Sequence, residues 1–167
     1  MIIILDLDHT VSDALWRDSL LGRWQEYHEE GQWDRPICFV RDIVDYHWFT
    51  FRDEIVVVTA RPEWNRGMTI RWLYDNGVPA DRVLMRPPED HRPGAEVKES
   101  LVREHIPDLL QVRFVLEDRD DCVAVYRQLG LNVLQVYKGV DNAQQATSRE
   151  EEIGRSERQA PGPGQAA

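Results

Sequence analysis

Two aspartates near the start of the chain have the spacing of a paired-carboxylate site. Asp6 and Asp8 follow the apolar run Ile2–Leu5, which is typical of a short strand buried on both faces of a parallel sheet. Residues i and i+2 of an extended segment point the same way, so both carboxylates face one crevice at the strand's carboxyl end. Two like charges this close need a cation or a proton between them. Mg²⁺ is the expected cation, because it takes a few hard oxygen ligands together with water and phosphate.

A second acidic segment repeats this arrangement further along the chain. Taken alone, the first pair is also consistent with helix capping, since acidic residues often precede a helix. However, Glu117, Asp118, Asp120 and Asp121 follow another predicted strand over residues 113–116. Four acids in five residues would repel one another unless a divalent cation lies among them. Both segments therefore indicate a metal site.

Another strand end carries side chains suited to phosphate. The apolar strand predicted over 54–59 ends in Thr59, and Arg61 follows. A hydroxyl can donate to a phosphoryl oxygen, and a guanidinium can bind phosphate bidentately. Read alone, this segment is equally consistent with Thr59 as a helix cap and a solvated Arg61. Lys98 lies between two glutamates near the start of a helix and, by itself, has the pattern of a surface residue.

The pattern of elements predicts how these side chains are positioned. Helices are predicted over 12–30, 37–51, 62–76, around Lys98 to about 105, and 122–129, with further strands over 82–85 and 133–136. This alternation predicts an α/β, three-layer Rossmann-like fold: a five-stranded parallel sheet with helices on both faces. The roughly fifty residues between the first two strands provide a small helical insertion and no large cap domain. They contain Arg17, a functional candidate, and the tryptophans at 16, 24, 33 and 48, for which core packing is favoured over stacking on a substrate ring.

Composition restricts the class of protein. The chain of 167 residues fits one domain, predicted over 1–140, followed by a polar and disordered tail over 141–167. It has no apolar run long enough to span a membrane, and its start lacks the basic region of a signal peptide. Cys38 and Cys122 are interpreted as reduced residues of a cytoplasmic protein. The net charge of -10 argues against broad nucleic-acid binding but allows a local pocket for one phosphate.

The order of these segments resembles the haloacid dehalogenase (HAD) superfamily of phosphotransferases. The matching elements are Asp6-x-Asp8-x-Thr10, Thr59 after a strand, Lys98, and Glu117-Asp118 after another strand. They extend over nearly the whole predicted domain. Within the superfamily, the chain is similar to the phosphatase domain of phage polynucleotide kinase/phosphatase and its stand-alone phage relatives.

That closer resemblance has its own motifs. They are Val58-Thr-Ala-Arg61, Thr69-Ile-Arg-Trp72, Met85-Arg86, Asp90-x-Arg92, Val97-Lys98 and Glu117-Asp118-Arg119. Arg17 stands where the family has a functional arginine. Two positions depart from the pattern: His9 replaces the usual glycine, and Gly94 replaces a frequent acid, for which Asp90 is the nearest substitute.

The resemblance implies a Mg²⁺-dependent phosphatase with an aspartyl-phosphate on Asp6. Asp8 would protonate the leaving alkoxide and then activate water, while Thr59 and Lys98 would hold the phosphoryl oxygens. The implied metal ligands are Asp6, the backbone carbonyl of Asp8, and Asp118, with Glu117 and Asp121 as further candidates. The implied substrate-binding residues are Thr10, Arg17, Arg61, Arg86 and Arg92.

Several functions remain open at this stage. The resemblance favours a polynucleotide 3′-phosphate as substrate, whereas the acidic composition favours a 5′-nucleotidase acting on nucleoside monophosphates. A receiver-like signalling domain is disfavoured, because no aspartate directly follows the strand over 82–85. An inactive HAD-like binding module is opposed by the intact set of acids, threonine and lysine. No membrane partner is expected, and the oligomeric state is open.

Overall fold

The structure is a computed structural model that describes residues 1–136. The strands of this part of the chain are β1 (Ile2–Leu5), β2 (Ser12–Asp13), β3 (Arg35–Pro36), β4 (Glu54–Pro62), β5 (Arg82–Arg86), β6 (Val112–Glu117) and β7 (Val133–Gln135). Its α-helices are α1 (Trp24–Glu30), α2 (Cys38–Tyr46), α3 (Arg66–Asp75), α4 (Gly94–His105) and α5 (Asp120–Gln128). The predicted domain end at 140 and the predicted tail over 141–167 lie outside the described residues. None of the helices within 1–136 combines the length and apolar character needed to cross a membrane.

The five predicted strands form one sheet in the order β5-β4-β1-β6-β7. Every neighbouring pair in this sheet is parallel. β1 therefore lies at the centre, between β4 and β6, and its carboxyl end borders the ends of both neighbours. The predicted parallel α/β sheet is confirmed, and the acidic segments after β1 and β6 are brought side by side.

Helices cover both faces of the sheet because the strand residues alternate between two cores. Ile2 and Ile4 of β1 pack in a cluster with side chains of α4 and α5. Ile3 and Leu5 pack in a second cluster with side chains of α2 and α3. All four residues are buried, as expected for a central parallel strand. The three-layer architecture follows directly from this alternation.

The helix predicted over 12–30 is wrong for most of its length. Residues 12–13 instead form β2, which pairs antiparallel with β3 and places Asp13 opposite Arg35. A 3₁₀ turn follows over Leu15–Leu20, and Gly22 then has a φ of 96°, a left-handed conformation that interrupts a helix. Within 12–30, only α1 is α-helical. The small insertion is thus a two-stranded ribbon with short helices, and its irregular path positions polar groups beside β1.

The preferred interpretation of the insertion's tryptophans as core residues is also wrong. The exposed fractions of these side chains are 51% for Trp16, 57% for Trp24, 68% for Trp33 and 39% for Trp48. Trp72 of α3, by contrast, is buried and donates its indole N–H to the backbone carbonyl of Asp34. The exposed rings carry apolar surface that the fold does not use.

Candidate active site

Three carboxylates meet at the carboxyl ends of β1 and β6. Asp6, Glu117 and Asp118 each offer an oxygen within 4.8 Å of the others. All three side chains are buried, because they stand at the ends of two neighbouring central strands. A compact set of hard oxygen donors fits Mg²⁺, which commonly binds through one or two carboxylates plus water and phosphate.

Lys98 of α4 supplies one positive charge to this acidic cluster. Its Nζ lies 2.5 Å from Asp6 Oδ1 and 2.6 Å from Glu117 Oε2. Burial, together with the charge of Glu117, raises the pKa of Asp6 well above its usual range, and Lys98 offsets only part of that effect. Burial also raises the pKa of Glu117. Lys98 pairs with two of the three carboxylates, Asp6 and Glu117, and carboxylates held this close together favour a cation among them.

Asp8 lies in a different environment, between two arginines. Arg17 NH2 is 2.5 Å from Asp8 Oδ1, and Arg61 approaches the same carboxylate through NH2 at 2.6 Å and Nε at 3.1 Å. Burial works against ionisation, but Arg61 and Arg17 hold the pKa of Asp8 well below its usual range. The surroundings therefore raise the pKa of Asp6 and lower that of Asp8, although the two aspartates are only two residues apart.

Asp34 holds these arginines in place and was missed by the sequence analysis. Its buried carboxylate accepts hydrogen bonds from Arg17 Nε at 2.8 Å, from Arg17 NH2 at 2.5 Å and from Arg61 NH2 at 3.3 Å. It also accepts from the indole of Trp16 at 2.9 Å and from the hydroxyl of Ser12. In the sequence, Asp34 precedes Arg-Pro and has the pattern of an ordinary turn residue. No local signal distinguishes it, because the partners of its carboxylate come from two distant segments, residues 12–17 and Arg61.

The two threonines of the predicted site have different surroundings. Thr10 is fully buried, and its Oγ1 lies 2.9 Å from Asp6 Oδ2 and 3.2 Å from Asp118 Oδ1. Its hydroxyl thus positions carboxylates. Thr59 Oγ1 accepts the backbone N–H of Arg61 at 3.1 Å. None of the residues in 1–136 accepts the Thr59 proton in return, so this hydroxyl can donate to a substrate oxygen.

Three of the predicted site residues make contacts elsewhere. Arg86 donates to the backbone carbonyl of Arg92 at 2.8 Å, and Arg92 forms an ion pair with Asp90 at 2.6 Å. Asp121 pairs with Arg119 at 2.6 Å and is not among the clustered carboxylates. Substrate binding by Arg86 and Arg92 and metal binding by Asp121 therefore stay predictions, with no contact to the central cluster.

His9 occupies a position where the family pattern has glycine, and its backbone adopts a conformation that favours glycine. Its φ is 64°, in the left-handed region where a side chain is strained. The ring is buried, and its Nε2 lies 3.1 Å from Asp18 Oδ1 and 3.4 Å from the Tyr27 hydroxyl. These contacts offset part of the backbone strain, so the turn after Asp8 is kept without glycine.

Gly31, which follows α1, lies close to the arginine pair. A Cβ at this position would lie 2.9 Å from Arg61 NH2 and 3.2 Å from Arg17 NH2. We expect Gly31→Ala to push both guanidinium groups away from Asp8 and to lower the kcat of the phosphatase activity that the sequence predicts by roughly 10- to 100-fold, as small misplacements of catalytic groups do. The measurement is steady-state phosphate release.

Gly67→Ala is the matched control for this substitution. A Cβ at Gly67 would meet no atom within 4 Å, so activity should be unchanged. The φ of Gly31 is −58°, which alanine adopts without strain, so both variants should fold. Full activity in Gly31→Ala would contradict the requirement for tightly held arginines.

Comparison with known proteins agrees with this geometry. Residues 1–140 match the family model for the polynucleotide kinase PNKP phosphatase domain. A chain in the Pnkp1/Rnl/Hen1 RNA repair complex is 27% identical, with a TM-score of 0.72 over 83% of this chain and 42% of that one. The protein therefore spans less than half the length of that relative.

More distant structures share the fold alone. A class C acid phosphatase from Bacillus anthracis, solved with tungstate bound, is 18% identical, with a TM-score of 0.55 over 95% of this chain and 62% of that one. The L-2-haloacid dehalogenase from Xanthobacter autotrophicus is 14% identical, with a TM-score of 0.60 over 92% of this chain and 82% of that one.

Proposed function

The chain belongs to the PNKP phosphatase family of the HAD superfamily and is a phosphatase, and on this premise we propose that it is a Mg²⁺-dependent 3′-phosphatase of nucleic-acid ends. The observation that carries the proposal is the pairing of Asp6, held by Lys98, with Asp8, held by two arginines, at the end of one strand. This is the layout of a nucleophile and a separate acid–base group.

The proposed metal ligands are the carboxylates of Asp6 and Asp118, with Glu117 as a further candidate. Their compact set of buried oxygen donors fits a divalent cation. When bound, Mg²⁺ would reduce the repulsion between an anionic nucleophile and an anionic phosphate. Lys98 and the Thr59 hydroxyl would contribute further stabilisation of the phosphoryl oxygens.

In the proposed first step, an Asp6 carboxylate oxygen forms a bond to phosphorus while the bond from phosphorus to the leaving oxygen breaks. A proton from Asp8 neutralises the leaving alkoxide. In the second step, water attacks the aspartyl-phosphate, the Asp6 oxygen leaves as carboxylate, and Asp8 takes the water's proton. The products are an alcohol and inorganic phosphate. Asp6 ends as a carboxylate and Asp8 ends protonated, as each began the first step, and Asp8 exchanges that proton with solvent between turnovers.

The arginine pair controls the protonation of Asp8 in this scheme. Without substrate, Arg61 and Arg17 keep Asp8 ionised, which suits its role as a base in the second step. To act as an acid first, Asp8 must bind a proton. We propose that the dianionic phosphate draws Arg61 toward itself, because bidentate binding of phosphate competes with binding of a carboxylate. The loss of that contact raises the pKa of Asp8.

Two substrate classes are compatible with this site. A 3′-phosphorylated strand is favoured by the family and by the relative found in an RNA repair complex. A 5′-nucleoside monophosphate is favoured by the net charge of -10, which weakens long-range attraction to a polyanion.

A cytoplasmic location is proposed from Cys38 and Cys122, which are both unpaired.

The test is phosphate release from a 3′-phosphorylated oligonucleotide and from mixed 5′-nucleoside monophosphates, each with Mg²⁺ and with a chelator. We expect turnover only with Mg²⁺ and a higher kcat/KM for the oligonucleotide. Preference for the monophosphates would identify a nucleotidase instead. Absence of release from a broad panel of phosphomonoesters would overturn the proposed activity and favour an inactive binding module.

A further inference from the structure

Three aromatic side chains belong to the two segments that flank the arginine pair, and the proposed mechanism uses none of them. Trp24 and His28 belong to α1, and Trp64 belongs to the turn after β4. The His28 ring stacks beside Trp24, with centroids 6.3 Å apart, and meets the edge of Trp64 at 6.1 Å. We call these three residues the aromatic wall. Both tryptophans are 57% exposed, so each presents a ring to solvent.

The aromatic wall is fixed beside Asp8 by hydrogen bonds from both flanking segments. Asn65 donates its side-chain amide to the backbone carbonyl of His28 at 2.7 Å. Arg17, which contacts Asp8, donates to the backbone carbonyl of Tyr27 at 2.9 Å. At Gly31, three residues after His28, the backbone lies so close to Arg61 that a Cβ would be 2.9 Å from its NH2. The backbone of α1 that carries Trp24 and His28 is therefore also the backbone that contacts the two arginines.

His28 presents an uncharged ring with an unused polar atom. Its Nδ1 is buried and has no hydrogen-bond partner among residues 1–136. Burial lowers the pKa of His28 to about 4; the charge of Asp8 acts in the opposite direction, and Arg61, Arg17 and Arg86 lower the pKa further. The imidazole is therefore neutral at pH 7 and takes part in the aromatic wall as an uncharged ring.

The combination of flat rings and nearby arginines selects the chemistry of the ligand. A molecule that satisfies both has a planar aromatic group joined by a short linker to a phosphate, which describes a nucleotide. We propose that the aromatic wall binds the base of the nucleotide whose phosphate is removed. This inference rests on the proposed phosphatase function and deepens it. It favours a single-stranded end, whose terminal base can turn its face to an aromatic side chain.

The test compares two oligonucleotides that both end in a 3′-phosphate. One carries a normal terminal base, and the other carries an abasic residue at the same position. Stacking of a base on an aromatic side chain contributes about 1–3 kcal/mol, so kcat/KM should favour the base-bearing strand by roughly 5- to 150-fold. Trp24→Ala and Trp64→Ala should each reduce that ratio toward one, through a higher KM for the base-bearing strand. Trp24→Phe and Trp64→Phe should retain most of the ratio.

Trp48→Ala is the matched control, because Trp48 is a partly exposed tryptophan outside the wall. It should leave both substrates unaffected. A second readout, equilibrium binding of both strands to the Asp6→Asn protein by fluorescence anisotropy, does not depend on turnover. There too, Trp24→Ala and Trp64→Ala should weaken only the base-bearing strand.

The outcomes separate this inference from the proposed function. Absence of turnover of both strands by the wild-type enzyme would overturn the function, and the binding assay would still decide the role of the wall. Equal kcat/KM for the two strands, or alanine variants with the wild-type ratio, would overturn the aromatic wall as a base site. If Trp24→Ala or Trp64→Ala changed the oligomeric state but left the ratio of the two kcat/KM values unchanged, the tryptophans would be a protein contact. That result would likewise overturn the base site.

Discussion

Asp6→Asn should abolish phosphate release, by at least about 10³-fold in kcat, while the protein stays folded. The amide cannot act as the nucleophile toward phosphorus, but it is nearly the same shape. Its oxygen can still accept from Lys98 Nζ, which lies 2.5 Å from Asp6 Oδ1. The Thr10 hydroxyl can turn to Asp118 Oδ1, 3.2 Å away. The geometry of the cluster therefore survives the loss of the reacting atom.

The stability of this variant is a second, independent expectation. Burial and the charge of Glu117 already raise the pKa of Asp6, so its carboxylate form is costly without a cation. Replacing it with a neutral group should leave the thermal midpoint in the presence of a chelator at or above that of the wild type. Asp42→Asn, on the exposed surface of α2, is the control and should keep full activity. More than a few per cent of wild-type turnover in Asp6→Asn would remove the assignment of the nucleophile.

The central architecture could be predicted because its signals are local. The run Ile2–Leu5 is apolar throughout, which is a direct consequence of burial on both faces in the middle of a parallel sheet. Parallel strands end at the same edge, so the position of Asp6 beside Glu117 and Asp118 follows once the strands are recognised. Lys98 has no such signal of its own, and only its place in the order of motifs indicated its function.

The insertion could not be predicted in the same way. The spacing of its apolar residues fits a helix, but the chain is drawn into the β2–β3 ribbon by pairing with residues more than twenty positions away. Its tryptophans are also at helical spacing, yet they lie on the surface, since burial is decided by which face meets the sheet. Asp34 shows the same limit: its charge is compensated by Arg17 and Arg61, and that compensation exists only in three dimensions.

Lys98→Met should have the largest effect on stability, because it leaves Asp6 and Glu117 buried without their shared cation. Breaking a buried ion pair by removing one partner costs about 3–5 kcal/mol, and we expect a loss of that size in the free energy of unfolding at pH 8 with a chelator present. Although burial opposes it, Asp6 and Glu117 raise the pKa of Lys98 well above its usual range, so the ammonium is charged in the wild type. Activity should also fall, since Lys98 is the proposed partner of the phosphoryl oxygens.

The pH dependence of this loss tests its cause. The pKa values of both acids are raised in the folded protein, so the folded state binds protons that the unfolded chain releases. Stability from such groups is present at low pH and is lost as pH rises through their folded pKa values. Urea unfolding should therefore show a smaller deficit for Lys98→Met at pH 5 than at pH 8. Adding Glu117→Gln should recover part of the deficit at pH 8, because it removes one of the two uncompensated charges. A deficit that is the same at both pH values and in the double variant would mean that packing of the lysine stem, and not its charge, stabilises the site.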